Sequence, residues 1–319
     1  MMQKDTQAIL IALFFFCTYL FLFQNQIGML GEDWAIDYSN YLSCANDGKF
    51  KEVPAEADIA EQQKHEQCER YPPITILIFE IFSGRTIWMQ QFLLFVFAFI
   101  APLIIYKITG EPIAALLYFS FSFFSYAITT AVAQPLSLLL ILSMLFLKDW
   151  QRILILPLLI LVHSYAFVIG VAFFAMIKAW ELLNDKLPGA FLVCSPFWGQ
   201  TPESVQTVLI QQTTNEGVIR INTILSFLTK RSPLPFLILG TKKLIEMRHI
   251  PLLGFMAMML FGALTIHERA LHFVALPVMC GMAWQYRDAN NKWKAVIIAT
   301  ALIFIAVQVW QLLALGQNC

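Results

Sequence analysis

Apolar runs separated by short polar connections follow one another along nearly the whole chain. The first covers residues 8–23 and is prolonged to 30. Others recur at 87–106, 112–128, 134–148, 151–163, 166–179, 188–199, 233–246, 250–266, 270–285 and 294–314. Read as helices, they predict about eleven membrane spans, several shorter than the ~20 residues a perpendicular crossing needs. Lys4 ahead of the first run is reminiscent of a secretory leader, but the run is long for a leader's apolar core and no small-x-small cleavage site follows. The pattern predicts an uncleaved first helix and one membrane-embedded domain over residues 1–319.

The polar connections then orient the chain. With the N-terminus inside, the inner connections hold Lys107, Lys148 with Arg152, Lys178 with Lys186, Lys242 with Lys243 and Arg248, and Arg287 with Lys292 and Lys294. Short inner connections rich in Lys and Arg are what the positive-inside rule expects. Two longer outer loops remain, 31–86 and 200–232. The stretch 151–179 is basic at both ends, so it is read as a hairpin of two short helices with His163 at an outer tip rather than as one crossing.

Composition makes lipid the solvent. Of 319 residues, 59% are hydrophobic and only 13% charged, with mean hydropathy +0.67, against about 25% charged in an ordinary soluble domain. That excludes a cytosolic enzyme, a disordered region and a coiled coil. Balanced charge, 21 Lys and Arg against 21 Asp and Glu, excludes nucleic acid as a partner, because binding phosphate backbones needs a net positive field. Residues 31–70 concentrate 14 of the charges, ten of them acidic, and read as an outer loop carrying one or two surface helices. No C-x-x-C spacing links the six cysteines, which argues against structural zinc. Cys17, Cys194 and Cys280 sit in apolar runs. Cys44 and Cys68 share the polar loop, and form a candidate disulfide if that loop lies outside the cytoplasm.

Several residues are able to carry chemistry. Asp33 and Asp37 follow the first run at i,i+4 spacing, which on a helix places both carboxylates on one face. At a lipid boundary a carboxylate is partly desolvated and becomes a better base; the plainer reading is that both keep a loop wet. Arg70-Tyr71-Pro72-Pro73 precedes an apolar run over 74–82 that is too short to cross. Its prolines suit a first helical turn, so it reads as a helix along or dipping into the outer leaflet, or as a loop anchor. His267-Glu268-Arg269 interrupts two apolar runs, where ionisable groups are costly in lipid. A guanidinium beside an imidazole suits a phosphate oxygen, whereas the plain alternative is a snorkelling outer loop. Gln134, His163 and Arg220 are lesser candidates. No metal-ligand spacing, Ser/His/Asp set or phosphate loop is present, and no cofactor is expected.

Taken in order, the first helix, an outer loop opening on Asp33-Trp34 through Tyr38, Gly48, Tyr71-Pro72-Pro73, Gln134, Ser195-Pro196-Phe197 and His267-Glu268-Arg269 before Leu276-Pro277 resemble the GT-C superfamily of integral-membrane glycosyltransferases. The likeness is closest to the dolichyl-phosphate-glucose-dependent α-1,3-glucosyltransferases of asparagine-linked glycosylation. Arg269 stands where that family has Lys, Glu32-Asp33-Trp34 replaces Gly-Asp-Tyr-Glu, and the chain is short. The resemblance implies an all-α polytopic fold in a bacterial or archaeal plasma membrane or an endoplasmic reticulum, with its active site on the extracytoplasmic or lumenal side. It implies a hexosyltransferase that uses a polyprenyl-phosphate sugar and an extracytoplasmic, lipid-linked acceptor. Asp33 would be the base. Arg269 with His267, then Arg70 or Arg220, would meet the phosphate, and Asp37, Tyr71, Gln134, His163 and Glu268 would complete the substrate site. The competing readings are a membrane transporter or lipid flippase, and a non-catalytic membrane subunit.

Overall fold

In a computed structural model, residues 2–24, 44, 73–82, 86–129, 133–183, 233–265 and 271–317 are described. All regular structure among them is helical, the form in which a lipid-embedded chain satisfies its own N–H and C=O groups. Helix α1 is Met2–Gln24, α2 Pro73–Ile81, and α3 runs as Thr86–Leu94, a π-helical turn Phe95–Ile100, and Ala101–Thr109. Then come α4 (Ile113–Ser120), α5 (Ser122–Thr129), α6 (Ala133–Ser143), α7 (Asp149–Val162) and α8 (Ser164–Leu183). The chain is described again through α9 (Leu234–Glu246), α10 (Ile250–Thr265), α11 (Leu271–Asp288) and α12 (Asn291–Gln317).

The apolar runs within these segments are helices, but fewer cross alone than the pattern predicts. Among the described residues, Gln3–Leu22, Trp88–Thr109 and Asn291–Trp310 are long and apolar enough to span, not about eleven. Two causes are local. The run over 112–128 breaks at Phe121, whose backbone is extended (ψ 155°) between α4 and α5. The run over 134–148 stops helically at Ser143. The run over 188–199 lies outside the described residues.

The hairpin expected over 151–179 is present. His163 is extended (φ −164°, ψ 116°) between α7 and α8, and ion pairs close the open end. Arg152 reaches Asp149 and Glu181 at 2.9 and 2.7 Å, and Lys178 reaches the same two carboxylates at 2.7 and 2.8 Å. Arg152 is buried and also donates to the Met144 carbonyl at 2.7 Å. Fourteen residues make α7 about 21 Å long, short of a ~30 Å hydrocarbon core. Helix α2 meets its tip. The Thr75 hydroxyl donates to the Val162 carbonyl at 3.1 Å, satisfying one of the acceptors that a helix C-terminus leaves open. The segment expected along the outer leaflet thus buries Thr75, Ile76 and Phe79 against protein.

Every described Lys and Arg lies at one end of the bundle. Lys4 bonds Glu111 at 2.9 Å, and Lys107 with the Tyr106 hydroxyl holds Asp5 at 3.2 and 2.7 Å. Trp284 donates to the Thr109 carbonyl at 3.1 Å. Beside it, His249 lies between the rings of Trp284 and Trp180, with centroids 5.3 and 4.7 Å away; Trp180 neighbours the Lys178–Glu181 pairs. Lys243 meets Asp288 at 2.6 Å, and Arg248, Lys292 and Lys294 lie in the adjoining turns. Eleven basic and six acidic residues gather here. The Lys178 bond, then Arg152, holds the Asp149 carboxyl below its usual value, and Lys243, then Arg287, does the same for Asp288.

Above this basic end the bundle is aromatic and small-residue packing, the force left when lipid tails are as apolar as Leu. Phe15 stacks on Phe119 at 4.3 Å, Tyr19 meets Phe124 at 4.5 Å, and Phe119 meets Phe124 edge-on at 5.2 Å, fixing α1 to the α4–α5 break. Phe16 packs on Phe95 and Phe99 at 5.9 and 6.3 Å, holding the π turn of α3 against α1. Helices α9 and α11 touch backbone to backbone. A Cβ on Gly281 would run into the Gly240 carbonyl oxygen.

Candidate functional site

At the end opposite the cations, α5, α6, α11 and α12 close on a group of neutral polar side chains. The break at Phe121 starts α5 on Ser122, and helical spacing puts Ser122, Ser125 and Tyr126 on one face. The buried Ser122 hydroxyl lies 3.0 Å from His272 Nδ1. The His272 ring lies flat on Tyr126, with centroids 4.4 Å apart and planes 12° apart. The Tyr126 hydroxyl donates to Gln134 Oε1 over a long 3.4 Å. Ser125 donates to Gln308 Oε1 at 2.9 Å, which ties α12 into the group. Each half of the group supplies the partner that a buried polar atom requires.

Position follows from local sequence. Gln134 is the second residue of α6 and Pro135 the third, inside the first turn, where a missing N–H costs nothing. His272 is the second residue of α11, three after Arg269. The connection 266–270, which carries His267, Glu268 and Arg269, therefore joins α11 where the polar group sits. Chemically, a serine hydroxyl, an imidazole and a carboxamide suit hydroxyl or phosphate oxygens. Among the described residues this end holds no Lys or Arg.

Of the residues singled out from sequence, the structure describes Gln134 and His163. Gln134 joins the polar group, whereas His163 sits at the hairpin tip and its carbonyl accepts from Ala166 N–H at 2.9 Å. Asp33, Asp37, Arg70, Tyr71, Arg220, His267, Glu268 and Arg269 lie outside the described residues. So does Cys68; Cys44 is buried and disulfide-bonded, and Cys17 and Cys280 are free. No three metal-ligating side chains gather among the described residues.

Ser122, Tyr126, His272 and Gln308 escaped sequence reasoning. His272 alone left a trace, as a second histidine in His267-Glu268-Arg269-Ala270-Leu271-His272. No family model matches the chain, and neither a curated protein nor a solved structure matches it.

Proposed function

We propose that the protein is a membrane glycosyltransferase that moves a hexose from a polyprenyl-phosphate sugar to an extracytoplasmic, lipid-linked acceptor. The observation that carries the reading is a shared location. Helix α1 ends and α11 begins at the end of the bundle that holds the Gln134–Tyr126–His272 group, and in sequence Asp33 follows the one and Arg269 precedes the other. The cations at the opposite end support a cytoplasmic basic face and an outward-facing site.

In this mechanism Asp33 takes the proton from the acceptor hydroxyl as its oxygen attacks the anomeric carbon. The bond to the lipid phosphate breaks in the same displacement, with inversion, and the phosphate leaves as an anion that needs no general acid. Negative charge grows on it in the transition state, where Arg269 and His267 stabilise it, with Arg70 or Arg220 as a second pair of hands. Lipid holds the donor's tail and limits the phosphate to one depth, which is proximity catalysis.

The test is incubation of purified protein with labelled polyprenyl-phosphate sugars and lipid-linked acceptors. Wild type transfers label from one of them. Asp33→Asn lowers turnover by roughly 10²–10⁴-fold with the melting midpoint unchanged, and Asp37→Asn is milder. Arg269→Ala raises the KM for the lipid-phosphate donor. Near-normal turnover in Asp33→Asn removes it as the base, and lipid translocation without bond cleavage replaces the enzyme with a flippase.

A further inference from the structure

We propose that the corner formed by the last turn of α9 and the α11–α12 turn binds the headgroup of an anionic phospholipid. The charges are contiguous. Lys243 reaches Asp288 at 2.6 Å, Arg287 reaches the same carboxylate at 3.0 Å, and Lys242 and Lys243 approach Glu246 at 3.7 and 3.8 Å. Lys294 hangs over the Tyr286 ring, 5.5 Å from its centroid, and Lys292 is exposed beside it. Five cations thus face two carboxylates. Both carboxylates are already paired, so the corner keeps a positive surplus drawn mainly from Lys292, Lys294 and the largely exposed Lys242.

A second, independent pattern identifies the occupant as a lipid rather than a free anion. Trp293, Val296, Ile303, Val307 and Trp310 are all exposed, and their spacing keeps them on one face of α12. The two tryptophans are 17 residues apart on the helix, about 25 Å, close to the thickness of a hydrocarbon core. Tryptophans bounding an apolar stripe mark the two headgroup depths. Lys292 and Lys294 flank the one at the basic end, so their ammonium groups sit where lipid phosphates are, while acyl chains lie along Val296 and Ile303. The attraction of each basic residue for an anionic surface makes such a corner selective.

The experiment titrates dioleoylphosphatidylglycerol or dioleoylphosphatidylcholine into the full chain in detergent and counts retained lipids by native mass spectrometry. Phosphatidylglycerol binds several-fold more tightly than phosphatidylcholine, and Lys292→Gln with Lys294→Gln weakens it about tenfold while leaving phosphatidylcholine unchanged. Lys242→Gln, which touches only Glu246, weakens it less and serves as an independent variant should the double change disturb α12. Lys148→Gln, at the same end but ahead of α7, leaves binding unchanged. Equal affinity for the two lipids, an unaffected double variant, or an equal loss in Lys148→Gln overturns the proposal. Displacement of phosphatidylglycerol by millimolar inorganic phosphate also overturns it, because that result describes a bare anion site.

Discussion

Arg152 shows how much one buried cation organises. It donates to Met144, Asp149 and Glu181, and Lys178 completes the lattice by bonding both carboxylates. Because Asp149 titrates below its usual value, its contribution to folding is present above the ordinary carboxylate range and is lost as pH falls through the lowered value. Melting midpoints in detergent should therefore begin to fall below about pH 4, and Asp149→Asn should flatten that acid limb. An unchanged pH profile in Asp149→Asn would show that the lattice does not couple to folding. The sequence made the basic partners of this hairpin legible, since Arg152 and Lys178 mark its two ends. It hid the role of His272, because five positions from His267 it forms no recognised ligand or catalytic spacing. Its partner Ser122 stands 150 positions away, and only folding brings the two together.

At the scale of elements, the helical runs were readable, and so was the break at His163, because basic residues at both ends of 151–179 require the chain to turn back. Phe121 breaks its run without Gly, Pro or a charge at the break, so neither propensity nor charge gives warning there. The breaks follow from contacts, with Phe121 buried near Phe236, 6.2 Å between centroids, and the hairpin tip capped by Thr75. Glycines also mean different things according to what they face. Gly281→Ala would drive a methyl into the Gly240 carbonyl and force α9 from α11, an overpacking cost of roughly 1–3 kcal/mol. Gly254→Ala meets only the Met176 side chain, which can turn away. Thermal melts should show Gly281→Ala clearly less stable than wild type and Gly254→Ala close to it. A reversed order would mean that the α9–α11 contact is not tight.

At the scale of the molecule, the rule about Lys and Arg in short connections carried furthest. It groups Lys4, Lys107, Lys178, Lys243 and Arg287 from sequence alone, and the structure brings these to one end through direct contacts. The number of full crossings was less legible, because hydropathy measures how apolar a run is and not whether it bends back. Labelling of intact and inverted vesicles should find Lys148→Cys and Lys292→Cys reactive from one face and Gln24→Cys from the other. Reaction of all three from one face would overturn the two-ended arrangement. The described basic end carries five more positive than negative residues. In an energised membrane, each such charge gains about 2.3 kcal/mol per 100 mV by standing on the electrically negative side. Voltage itself would then favour the orientation that sets this end on the negative side.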